Sequence, residues 1–184
     1  MNTTKKILVV VERSENSIKP FVFEAIHAAR LLANSLGGTV HVLCFGLETS
    51  MVSCFVGWGA DHVRILQNPL FGSITLEQAL ESIEPQINAE KPYAVFFSAT
   101  TRGKELSASL SARLNTSLAT DCVAIEIGET GEILVQRPVY AGKALSNLIL
   151  KGTGPHILSL RQNIFRGSGP DFSNAKIWIG ETLW

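Results

Sequence analysis

Thr100-Thr101-Arg102-Gly103-Lys104 brings two hydroxyls, two cations and a glycine to the point where an apolar run, Tyr93-Ala-Val-Phe-Phe97, gives way to a helical pattern. The first N–H groups of a helix have no partner inside it, and the helix dipole adds partial positive charge there. These five residues are therefore candidates to hold an anion, such as the phosphate of a nucleotide. The same residues suit a simpler arrangement, in which Thr100 or Thr101 caps the helix while Arg102 and Lys104 are solvated. Both arrangements stay open at this level.

Other chemistry-bearing residues are dispersed. Arg113 and Asp121 are candidates to pair, Arg137 precedes a proline that fixes a strand end, and structural roles are expected for all three. His27, His41, His62 and His156 have no carboxylate or cysteine at the local spacing of a triad or a metal site, so they read as surface or satisfied core histidines. Cys44, Cys54 and Cys122 form no Cys-x-x-Cys and are expected to be reduced core thiols, with no metal. Neither G-x-G-x-x-G after a strand, nor a P-loop, nor Gly-x-Ser-x-Gly is present, so a standard dinucleotide fingerprint and hydrolytic catalysis find no support.

The elements that must position these residues follow from periodicity. Ile7-Leu-Val-Val-Val11 is a β-branched apolar run of the kind covered on both faces in a parallel sheet. Pro20 suits a first helical turn, and Val22, Ile26, Ala29, Ala33 and Leu36 recur at helical spacing until Gly37-Gly38. Val40 to Phe45 is a second strand, and the segment 48–60 is irregular with room for a short helix. A third strand is expected up to Leu66. Thr75 and Gln78 make a capping-box pattern for a helix that kinks or breaks at Pro85. Tyr93 to Phe97 is the fourth strand, and Leu106, Leu110 and Leu114 share one face of the helix after it. After residue 118, four β-rich segments, 119–127, 132–139, 144–150 and 156–160, predict a small antiparallel portion. The fold class is α/β, a three-layer Rossmann-like parallel sheet with that antiparallel addition. Residues 1–166 form the domain and 167–184 a linker-like tail, whose Trp178 and Trp184 need a surface to cover.

At 184 residues, with 46% hydrophobic and 17% charged residues, the chain has a full core and is not broadly disordered. Sixteen basic residues balance sixteen acidic ones, which gives no reason to expect nucleic acid or an anionic membrane surface as partner. The longest apolar run is far too short to span a bilayer, and a cytoplasmic location is expected.

The ordered set Ile7-Leu-Val-Val-Val-Glu12, Gly59-Ala-Asp61, Ala99-Thr-Thr-Arg-Gly-Lys104, Ser111-Ala-Arg-Leu114, Thr120-Asp121 and above all Arg137-Pro-Val-Tyr-Ala-Gly-Lys-Ala144 resembles the N-terminal domain of the electron transfer flavoprotein alpha subunit. The resemblance covers about residues 5 to 166. It implies an α/β domain of the adenine nucleotide alpha hydrolase-like type and a heterodimeric electron carrier rather than an enzyme in its own right. It further implies a beta-like subunit as partner, FAD held by a C-terminal domain that takes electrons from acyl-CoA and other dehydrogenases, and any structural AMP in the beta subunit. Nothing after residue 166 resembles the FAD domain, so no FAD site is expected on this chain. A piece of a longer subunit and a short paralogue that self-associates are both compatible with that departure. The alternative function is a stand-alone domain holding AMP or ATP near Val11-Glu12 and Ser98 to Lys104.

Overall fold

The computed structural model describes residues 4–12, 17–67, 74–173 and 178–183. Its strands are β1 (Lys6–Val11), β2 (Thr39–Phe45), β3 (His62–Gln67), β4 (Ala94–Ser98), β5 (Leu118–Cys122), β6 (Ala124–Ile127), β7 (Ile133–Val139), β8 (Ala144–Leu150), β9 (His156–Leu160) and β10 (Trp178–Leu183). Its helices are α1 (Pro20–Leu36), α2 (Thr49–Val52), α3 (Cys54–Gly57), α4 (Leu76–Glu90) and α5 (Thr101–Arg113).

Seven strands form a parallel sheet in the order β10-β3-β2-β1-β4-β9-β5, and β6-β7-β8 form a separate antiparallel sheet. β1 explains the layering. Ile7, Val9 and Val11 join one core with Val22, Ile26 and Ala29 of α1, whereas Leu8 and Val10 join another with Leu80 and Ile83 of α4 and Leu106 and Leu110 of α5. A strand that alternates between two apolar layers must be apolar at every position, as this one is. Each fully buried Val, Leu or Ile is worth about 1.5–3 kcal/mol of transfer free energy.

The ends of the helices follow local rules. α1 carries Pro20 at its start and stops at Gly37, whose φ of 60° suits a residue without Cβ. The Thr75–Gln78 capping box forms in both directions, at 2.9 and 3.2 Å. α4 continues through Pro85 to Glu90 instead of ending there. Glu81 and Pro85 are both exposed, so the carbonyl that the proline leaves without its N–H partner faces water.

Beyond residue 118 the sequence reading is refined. The segment 119–127 is two strands, and only β6, β7 and β8 are antiparallel. β5 and β9 return to the parallel sheet, with β9 inserted between β4 and β5. Short β-rich runs carry no signal that separates the two pairings. The antiparallel sheet buries Ile133, Val135 and Leu150 in the α1-side core.

Described residues of the C-terminal segment also pack, and Trp184 lies outside the described residues. Asp171 donates its N–H to the Gly57 carbonyl at 2.7 Å, and β10 pairs with β3 from Trp178↔His62 onward.

Candidate functional site

In an open parallel sheet, ligands are expected outside the carboxyl ends of the strands where the chain order reverses. Here β1 lies between β2 and β4, so that crevice falls beyond Val11 and Ser98. Glu12 leaves β1 at this point, and Thr100 is the N-cap of α5.

Thr100 Oγ1 accepts the Gly103 N–H at 2.8 Å and donates to the Glu12 carboxylate, whose two oxygens lie 2.6 and 2.8 Å away. Gly103 is buried, and a Cβ there would lie 2.0 Å from the Ser98 carbonyl oxygen and 2.6 Å from Glu12 Oε1. The first turn of α5 thus closes on the end of β4 and on Glu12, and glycine is the residue that permits the contact. The anion at this helix N terminus comes from the protein's own chain. Burial raises the Glu12 pKa above its usual range, while the Thr100 hydrogen bond and the Arg102 charge lower it by less. Arg102 Nη2 also donates to the Ile74 carbonyl at 3.1 Å, tying α5 to the segment before α4. Thr101 and Lys104 are exposed.

The five residues predicted from sequence therefore divide by role. Thr100 and Gly103 form the cap, Arg102 braces it, and Thr101 and Lys104 face solvent. Glu12, which the sequence reading placed only in the neighbourhood, is the residue that completes the cluster. An acidic residue directly after a fully apolar strand at the reversal point is the signal that marks it.

Arg137-Pro-Val-Tyr-Ala-Gly142 belongs to the other sheet. It ends β7 and forms the tight turn into β8, with φ of 50° at Tyr140, 55° at Ala141 and 87° at Gly142. Two successive residues in the left-handed region are what a type I′ hairpin turn requires, though non-glycine residues fill it here. Tyr140 is 81% exposed, and Leu145 and Ile149 on β8 are 60% and 53% exposed. Leu145 lies opposite Pro138 and Ile149 opposite Leu134, with the exposed pair Gln136 and Asn147 between them, so the outward face of this sheet mixes apolar and polar residues. A shallow groove of about 340 Å³ runs over it between Leu134, Asn147 and Ile149.

The candidate Arg113–Asp121 pair does not form. Arg113 binds Glu77 and, at 3.4 Å, Glu84, both on α4, and Asp121 binds Arg161 at 2.7 Å. The helix layer and the strand β9 supply nearer partners than sequence distance suggests. Three of the four histidines have structural partners: His41 contacts Glu90 at 2.8 Å and packs on His62, and His156 meets Ser117 at 2.9 Å. Cys44 and Cys122 are buried, with thiol pKa values pushed up to about 12 by burial. Among the described residues no group of three or more His, Cys, Asp or Glu is placed to hold a metal ion, and no helix is long and apolar enough to cross a membrane.

Residues 7–176 match the family described as electron transfer flavoprotein domain. The chain belongs to that family. Among relatives, the electron transfer flavoprotein subunit alpha of Bacillus subtilis is 31% identical over 93% of this chain and 52% of its own length. The electron transfer flavoprotein subunit alpha of Thermoanaerobacterium thermosaccharolyticum is 27% identical over 90% of this chain and 51% of its own. The lactate dehydrogenase (NAD(+),ferredoxin) subunit LctC of Acetobacterium woodii is 29% identical over 86% of this chain and 38% of its own. The chain thus spans about half the length of these electron transfer flavoprotein relatives, and less of LctC. The resemblance read from Arg137 to Ala144 and from Ala99 to Lys104 agrees with this membership.

Proposed function

We propose that this chain is the scaffold domain of an electron transfer flavoprotein alpha-like protein: it docks a beta-like subunit, and electrons pass through an FAD held by a domain outside residues 1–184. In this reading residues 1–166 carry the domain, 167–184 are a linker-like C-terminal tail, and the chain is a carrier component with no catalytic residue of its own. The observation that carries the proposal is the Glu12–Thr100–Gly103 cluster. At the helix N terminus where a phosphate-bearing cofactor would be expected, the cap residue Thr100 holds an internal carboxylate, Glu12. A carboxylate at that turn disfavours a second anion such as the diphosphate of a flavin beside it. The exposed Leu145 and Ile149, on the outward face with Leu134 and Pro138 and flanking the polar pair Gln136 and Asn147, support docking on that face.

Mixing the chain with a beta-like subunit and following co-elution tests this. A complex is expected, lost in Leu145→Asp with Ile149→Asp and retained in Arg102→Ala with Lys104→Ala. The rival reading, nucleotide binding at Thr100, Thr101, Arg102, Gly103 and Lys104, predicts an adenylate that co-purifies with the chain alone and disappears in the Arg102→Ala, Lys104→Ala variant. That outcome, or failure to form any complex, overturns the proposal.

A further inference from the structure

A second concavity lies at the opposite edge of the parallel sheet, where β1, β4 and β9 begin. It is a cleft of about 680 Å³ that gathers Lys5 at the start of β1, Lys91 after α4, and Lys151 after β8, around Tyr93, while Lys6, the next residue on the strand, also lines the pocket on the other face beside Glu90. Glu132 is the acidic residue in its lining. We infer that this lysine cleft binds a compact polyphosphate group, either free or borne by a nucleotide.

Three observations carry the inference. First, the lysines come from three separate stretches of a chain whose basic and acidic residues balance, so their convergence is local and not a by-product of overall charge. Second, none of the ion pairs among the described residues involves a lysine. Lys5 Nζ instead lies 3.9 Å from the centre of the Tyr93 ring, and Glu132 is engaged by the side chain and N–H of Thr130 in its own turn. The Thr130 hydrogen bond lowers the Glu132 pKa most, and Lys151 is near enough to lower it further. One carboxylate does not offset three lysines, so gathering them in one concavity is unfavourable unless a further anion completes it. Third, the donors are all ammonium groups. Lysine presents a compact point charge suited to phosphate oxygens from several directions, whereas planar carboxylates are met best by the arginine fork, which is missing from this cleft. Gly152 has φ of 105° and open space on its Cβ side, so a ligand can approach the backbone there. The volume lies in the range of small-ligand sites, which favours a small polyanion over an extended acidic chain.

Titration of the purified protein with pyrophosphate, ADP and a triglutamate peptide at low salt, followed by calorimetry, tests the inference. Saturable one-to-one binding of pyrophosphate is expected, weakening as salt is raised. Lys5→Gln with Lys151→Gln should weaken it by about tenfold or more, since two of the cleft's three point charges are lost. Lys5→Arg with Lys151→Arg should retain most of it, and Arg102→Ala with Lys104→Ala, at the far edge of the sheet, should leave it unchanged. Tighter binding of ADP than of pyrophosphate identifies a nucleotide as the source, and equal binding a free polyphosphate. Absence of saturable binding, wild-type affinity in the Lys5→Gln, Lys151→Gln protein, or tighter binding of triglutamate than of pyrophosphate overturns the inference. The readout needs no partner subunit, so it is independent of the docking experiment.

Discussion

Thr100 Oγ1 sits 2.6 and 2.8 Å from the two carboxylate oxygens of Glu12, joining the end of β1 to the cap of α5 across 88 residues of sequence. The carboxylate is the sheet's own occupant of the place where many α/β proteins keep a ligand. Burial is the largest influence on Glu12 and raises its pKa above the ordinary 4.5. A carboxyl that holds its proton more tightly folded than unfolded favours the fold below its unfolded pKa, and this contribution is lost as pH rises through the folded pKa. Glu12→Gln keeps an oxygen for Thr100 and removes the charge. Thermal melts should show the variant above the wild type at neutral pH, by about 2–4 °C for each kcal/mol relieved. The two curves should converge below pH 4.5, the ordinary value for the group.

Gly103→Ala tests the space behind that cap. The added methyl would fall 2.0 Å from the Ser98 carbonyl oxygen, which is backbone and cannot swing away. A loss of about 2–4 kcal/mol is expected in urea unfolding, without change in the slope of the transition. Thr100→Ala should lose about 1–2 kcal/mol through the missing cap, and Thr100→Ser should recover most of it.

The three thiols should separate by burial. Cys44 and Cys122 are buried and have pKa values pushed up to about 12, while Cys54 is half-buried and its thiol is raised by partial burial. Thiolate is the reactive species, so a disulfide reagent at mildly alkaline pH should label Cys54 alone in the native protein and all three cysteines after denaturation.

Residues 167–172 should be held by α3. A Cβ on Gly57 would lie 2.6 Å from the Phe172 ring and 2.7 Å from Pro170 Cβ. Gly57→Ala should therefore lift this segment and speed tryptic cleavage after Arg166, on the order of tenfold, while cleavage elsewhere is unchanged.

Much of the frame was legible because it rests on local rules. The β1 run declares a strand covered on both faces, Thr75 and Gln78 declare a helix start, and Thr100 declares another. What sequence did not disclose depends on which distant segments become neighbours. Glu12 as occupant of the α5 N terminus requires β1 beside β4, and Arg113 finds Glu77 and Glu84 only because α4 lies against α5. The return of β9 to the parallel sheet was hidden for a related reason. His156-Ile-Leu-Ser-Leu160 is buried throughout yet includes a histidine and a serine whose partners lie elsewhere in the chain.

The insertion of β9 between β4 and β5 imposes an order on assembly during synthesis. When β5 leaves the ribosome it has no strand in the parallel sheet to pair with, because the one that joins it to β4 is not made until residues 156–160 appear. The intervening β6, β7 and β8 can meanwhile close on one another, since each antiparallel pair is joined by a short turn. A nascent chain stopped before residue 156 would thus hold a finished small sheet beside an unfinished large one. The step that completes the β4 side of the parallel sheet is the arrival of five residues near the end of the family-matched region.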